Sequence, residues 1–168
     1  PSGGSKTLTG VGLVVELAKE LLYSGIPEQV LELYAAYYDI INSTEDSAGK
    51  ILVESNTDPS AVVVIDSKLV LITVRAFLAL SDVTGALTLL GSCTRMGMSF
   101  DMESNSILIK ELAEKSPEGL KAALGMYERI VTEQHMEMEE EGLAALSSGG
   151  RLSAVAYAGL LHGIHTHG

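Results

Sequence analysis

Four groups of residues have the types and spacing from which chemistry can be built. Glu133, His135 and Glu137 lie within five positions of one another, and Glu139, Glu140 and Glu141 extend the acidic run. Carboxylates and imidazole of this kind ligate metals or move protons. Carboxylate-bridged metal sites in bundles use Glu-x-x-His, which places the pair on adjacent turns of one face. The order Glu133-Gln134-His135 points its two side chains apart, so the Glu133–Glu141 stretch reads first as a solvated acidic helix. The second group, His162, His165 and His167, offers imidazoles from which a metal could collect two. The third is Cys93, the sole cysteine, with Arg95 two residues on to favour a thiolate. No base accompanies it, so a packed neutral thiol is the plainer reading, and no internal disulfide can form. The fourth is Asp66, at the exit of an apolar run where α/β folds often place chemistry. Asp66-Ser67 is also turn chemistry, and that role is the commoner one.

GGSKT near the N-terminus shares residue types with a phosphate loop but lacks the G-x-x-x-x-G-K-[ST] spacing and a preceding strand. With no nucleophile–base–orienter pattern, the expectation is a noncatalytic chain with no cofactor, no metal and no catalytic residue.

The elements that must hold these residues centre on Ala61–Val74, interrupted only by Asp66, Ser67, Lys68 and Thr73. Continuous Val/Ile-rich runs bounded by turn formers suggest strands buried on both faces. Strands are expected at Lys50–Glu54, Ala61–Ile65 and Leu69–Val74, with Asp66-Ser67 turning the last two into a hairpin and a short helix following at Val74–Leu80. The fold class expected is α/β, a small central sheet covered by helices.

Helical periodicity surrounds this stretch. Val11, Val14, Val15, Ala18, Leu21 and Leu22 share one face of a helix running from Thr9 to Tyr23, stopped by Ser24-Gly25. Pro27-Glu28 opens a second to Asn42, with Val30, Leu33, Tyr34, Tyr37 and Ile41 facing the core. Ser43–Gly49 reads as a polar link. Ser81-Asp82 caps a helix ended by Gly91, Arg95–Met102 is irregular and Met-rich, and Ser104 or Ser106 caps Ile107–Lys115. Ser116-Pro117-Glu118 starts a longer helix whose buried face is Leu120, Ala123, Leu124, Tyr127, Ile130 and Val131.

The domain organisation expected is a flexible 1–8, a core over 9–128 and an acidic, Gly/Ser-containing mobile tail over 129–168. At 168 residues with 46% hydrophobic content the chain can build one real core. A net charge of −11 and scattered basic residues argue against a phosphate-binding face, although folding can create a basic groove. No apolar run reaches the ~20 residues a membrane span needs, and no leader opens the chain, so a cytoplasmic location is expected.

A body that ends in a helix, changes composition at Arg129 and continues as a loosely ordered tail is similar in outline to the small packaging and assembly cofactor of the double-stranded RNA bacteriophages, the cystoviruses. The resemblance implies a homodimeric α/β body likened to BRCT domains, capsid and polymerase proteins as partners, a virion location, and action by protein contact in RNA packaging. No motif carries it, so no residue role transfers. The apolar Leu143–Ile164 region behind the acidic run could also dock on a partner or on a second copy and order when bound, so a noncatalytic interaction or assembly module is the first functional expectation. A metal-binding protein or enzyme using Asp66 or Glu133–Glu141 is the second, and a nucleic-acid binder with a folded-in basic groove the third.

Overall fold

The computed structural model describes residues 10–46, 66–141 and 151–168, with side chains described for all of these except 42–46 and 137–141. They form seven helices: α1 (Gly10–Tyr23), α2 (Pro27–Asp46), α3 (Ser67–Ala79), α4 (Val83–Arg95), α5 (Met102–Lys115), α6 (Pro117–Glu141) and α7 (Ala154–His167). The α/β expectation is overturned, because no strand occurs among the described residues. Leu69–Val74, read as a strand, lies inside α3, while Lys50–Glu54 and Ala61–Ile65 fall outside the described residues.

The reason is burial. No residue from Leu69 to Leu78 is exposed, and Leu69, Val70, Thr73, Val74 and Leu78 are essentially inaccessible. The less covered side of α3 is marked by Lys68, Leu71, Arg75 and Ala79, and three of these lie outside Leu69–Val74, so that short run shows little of the 3.6-residue period that distinguishes a helix from a buried strand. Thr73, the polar interruption, satisfies its hydroxyl within the helix by donating to the Leu69 carbonyl at 2.8 Å. Asp66 starts this helix instead of turning a hairpin. Its carboxylate accepts from the Lys68 N–H at 2.7 Å and its carbonyl from the Val70 N–H at 3.1 Å.

The chain divides into two compact units, 1–76 and 77–168, at a point within α3. The expected boundary at Arg129 falls inside α6. In the first unit α1 packs on α2, joined by a turn in which Gly25 takes φ +75°. Val15, Ala18 and Val30 meet Leu69, Ile72 and Ala76 in one cluster, with Leu33, Tyr34 and Tyr37 packed against it. Tyr34 and Tyr37 are thus half-buried against the core, while Tyr38 is exposed. Burial holds the Tyr37 phenol above its ordinary pKa, and the nearby Asp66 charge adds to the effect.

In the second unit α5 lies between α6 and α7, and α4 packs on α6. Leu108, Ile109, Leu112 and Ala113 of α5 are fully buried, joined by Leu120, Ala123 and Ile130 of α6. The caps use neighbouring side chains. Asp82 accepts from the Gly85 N–H at 2.8 Å, Asp101 from Ser104 at 2.7 Å and Ser116 from Gly119 at 3.0 Å. Asp101 therefore performs the role expected of Ser104 or Ser106, and α4 runs on through Gly91 to Arg95.

Candidate interaction surface

The surface that sets this chain apart is the outward side of α7, and the inward side explains how it comes to be presented. Helix α7 is AVAYAGLLHGIHTH, the only one of the seven without an Asp, Glu, Lys or Arg. Its inward stripe is Ala156, Gly159, Leu160 and Gly163, all buried. A Cβ placed at Gly159 would stand 2.5 Å from the Lys110 Cα of α5, and one at Gly163 would collide with the Ala113 carbonyl oxygen. The G-x-x-x-G spacing thus lets two backbones approach to a distance any side chain would prevent.

The start of α7 is pinned as well. The Ser106 hydroxyl donates to the Met102 carbonyl at 2.7 Å and accepts from the Ser153 N–H at 3.0 Å, and Leu152 is buried just ahead of the helix. Tyr157 meets Tyr127 of α6 edge-on, with ring centroids 5.9 Å apart.

With Ala156, Gly159, Leu160 and Gly163 turned inward, α7 leaves Tyr157, Leu161 and Ile164 outside, together with Ala154, Ala158, His162, His165 and Thr166. Ala154, Tyr157, Leu161 and Ile164 follow three-four-three spacing, which forms one seam along a helix. Leu161 is 70% exposed, Ile164 48% and Tyr157 45%. Val155 is exposed as well, on another side of the helix. Contiguous apolar side chains in water mark contact sites more often than isolated ones do. A smaller exposed pair, Leu13 and Leu17, occupies one face of α1.

The residues singled out for chemistry do not converge. Asp66 is committed to the first turn of α3. Cys93 is fully buried in α4, and that burial raises its thiol pKa above the ordinary value, which keeps it protonated and unreactive despite Arg95. Glu133 makes a 3.9 Å contact with Arg129 one turn earlier, and both side chains are exposed. His135 is exposed on the same helix, and the side chains of Glu137, Glu139, Glu140 and Glu141 lie outside the described set. His162 and His165 are exposed on the outward side of α7, while His167 is half-buried, with Nε2 3.4 Å from the Glu114 carbonyl oxygen. Among the described residues no three His, Cys, Asp or Glu side chains gather where one ion could be held. The GGSKT segment is outside the described residues. Among the described residues no helix is long and apolar enough to cross a membrane.

Sequence reasoning reads the Leu143–Ile164 region as apolar enough to dock on a partner or a second copy, but passes over the Gly159–Gly163 crossing and the seam through Leu161. Both were legible as patterns, one in the four-residue glycine spacing and the other in the three-four apolar spacing. The terminal histidines drew notice away from them. The sequence matches no family model, and searches of curated proteins and of solved structures return no similar chain.

Proposed function

We propose that this chain is a noncatalytic protein–protein interaction module that pairs with a second copy of itself through the outward seam of α7. The observation that carries the reading is a charge-free helix with Leu161 70% exposed on a protein of net charge −11. Two copies of so acidic a chain repel over most of their surfaces. They repel least where neither carries a carboxylate, and there the gain from burying Tyr157, Leu161 and Ile164 is unopposed. A twofold axis through such a seam makes a self-complementary contact. Partners with an apolar, weakly charged helix face would fit the same surface. The capping role of Asp66 and the burial of Cys93 support the noncatalytic part of the reading.

A place in a viral packaging and polymerase complex is the setting implied by the cystoviral outline. That outline includes an α/β body, which the helical units do not supply.

Sedimentation velocity on the full chain and on Leu161→Asp tests the proposal. The unmodified chain is expected to sediment as a dimer at micromolar concentration and the variant as a monomer with the same helical circular dichroism. A monomeric parent at all concentrations, or a variant that stays dimeric, would sink it.

A further inference from the structure

A second feature of the 77–168 unit shares no residue with the α7 seam. Between α4, α6 and the connection 96–101 lies a cavity of about 470 Å³. That volume falls in the range of sites that hold small organic ligands, roughly 300–1,000 Å³. Leu87 and Leu90 from α4, Met126 and Ile130 from α6, and Met98 and Phe100 from the connection make the apolar part of a mixed wall. Met and Phe walls suit a flat or irregular apolar body, because thioethers adapt in shape and contact ring edges favourably.

Thr94, Ser99, Asn105, Arg129 and Glu133 make the polar part, and Asn105 and Arg129 decide what else the occupant must carry. Asn105 lines the cavity and is 8% exposed. Its Nδ2 donates to the Phe100 carbonyl at 3.0 Å, which ties the connection to α5. Its Oδ1 accepts from no described residue. Since no fully inaccessible side-chain polar atom is left unpartnered, Oδ1 must face open space, and the cavity is the space Asn105 borders. An acceptor bordering the cavity asks for an N–H or O–H donor.

The second group is Arg129 at the exposed side of α6. Its contact with Glu133 is made by Nε at 3.9 Å, too long for a hydrogen bond, and leaves the terminal nitrogens of the guanidinium available. A planar fork of this kind takes a carboxylate through two parallel hydrogen bonds. The Glu133 carboxylate beside it disfavours a ligand with more than one negative charge.

We infer that this cavity is a binding site for a small aromatic monocarboxylate with a hydrogen-bond donor on its ring. The apolar body fills the space between α4 and α6, the donor meets Asn105 Oδ1, and the carboxylate meets Arg129. Indole-3-acetate carries all three features and serves as the probe.

The test is an NMR titration of the ¹⁵N-labelled full chain. Saturable, one-site shifts are expected at the amides of Gly91 and Gly97, both of which line the cavity. The neutral analogue indole-3-acetamide is expected to bind about tenfold more weakly, as loss of a charge-assisted pair predicts. Arg129→Gln should weaken the acetate about tenfold and leave the acetamide unchanged. Gly91→Leu should abolish binding of both. A Cβ at Gly91 meets nothing within 4 Å, and leucine is the better helix former there, so the variant folds and fills the cavity. No saturable shift at millimolar acetate would overturn the inference. So would binding that survives Gly91→Leu, or an Arg129→Gln effect equal for both ligands.

Discussion

Helices α3 and α7 are alike in sequence and opposite in exposure. Each is apolar around most of its circumference, with few charged residues or none. Along α3 every residue from Leu69 to Leu78 is buried or half-buried. Along α7 burial stops at a narrow stripe of Ala156, Gly159, Leu160 and Gly163, and Leu161 stands 70% exposed. An all-round apolar helix is stable in water only if something covers it. The fold supplies that cover for α3. For α7 it covers the stripe of Ala156, Gly159, Leu160 and Gly163 and leaves Tyr157, Leu161 and Ile164 at the surface. Apolar character therefore has different consequences in the two helices, stability in α3 and a surplus available to a partner in α7.

The sharpest way to break this comparison is to truncate one leucine in each helix. Leu69→Ala removes a fully buried side chain from the α1–α2–α3 cluster and is expected to cost about 3 kcal/mol of unfolding free energy. Leu161→Ala removes a side chain mostly in water and should leave monomer stability within about 0.5 kcal/mol, while weakening self-association. Urea unfolding of both variants at low protein concentration decides the matter. Equal losses would mean that the outward side of α7 is covered within the monomer.

The inward side of α7 is tested next. Gly159→Val drives a branched side chain into the Lys110 backbone and is expected to cost about 2–3 kcal/mol through overpacking. The loss should be local. Amide exchange should quicken in α7 and along the side of α5 it covers, while the Val15–Val30 cluster of the first unit keeps its protection. Unchanged exchange in α7 would show that the close crossing does not hold the helix.

How much of this was legible beforehand depended on whether a helix had one wet side. α1, α2 and the first half of α6 each bury one stripe, and the faces read from Val15 and Ala18, from Val30 and Tyr37 and from Leu120 and Ala123 are the faces found inside. Leu69–Val74 misled because it spans less than two turns and the charges on the less covered side of α3, Lys68 and Arg75, fall just outside it, so the run reads like a buried strand. Asp66-Ser67 misled for a related reason, since turn chemistry and helix-capping chemistry use the same side-chain acceptor. The acidic run of α6 dominated the reading of the C-terminal region, and the composition change at Arg129 suggested a departing tail. The solvated acidic helix expected over that run is present, since α6 continues to Glu141 with Glu133, His135 and Met136 exposed. Tertiary proximity was beyond reach altogether. Nothing in the sequence brings Asn105, Arg129 and Met98 to one cavity.

A smaller effect separates the two ways α7 is held, by close backbone packing and by one buried hydroxyl. Ser106→Ala removes the oxygen that the Ser153 N–H donates to and leaves that donor unpaired at the start of α7. The expected cost is about 1–2 kcal/mol, less than that of Gly159→Val. It should appear as faster exchange of the Ser153 amide and the first turn of α7, with the C-terminal turns unchanged. Exchange that quickens uniformly along α7 would mean that the helix docks as a single unit.

The smallest effect concerns the far end of the same helix, where electrostatics replaces packing. Glu118 opens α6 and its pKa is held below the ordinary carboxylate value, first by its own backbone N–H, then by the Ser116 hydroxyl, with the charge of His167 on α7 contributing least. A carboxyl whose pKa is lower folded than unfolded stabilises the fold above its unfolded pKa. That contribution disappears as pH falls through the folded value. Stability should therefore decline on acidification below the usual carboxylate range, and Glu118→Gln should flatten that part of the profile. Because Glu118 is fully exposed to solvent, the change is expected to be slight and to shrink further in high salt. A ¹³C titration of the Glu118 carboxyl in His167→Ala isolates the contribution of α7. The midpoint should move only slightly toward the ordinary value, since the backbone and Ser116 hydrogen bonds remain. A full return to the ordinary value would make His167 the main cause and the docking of α7 at its C-terminal end an ionic one. That outcome would erase the contrast in which α3 and α7 are both held by apolar contact and differ only in how much of it the fold completes.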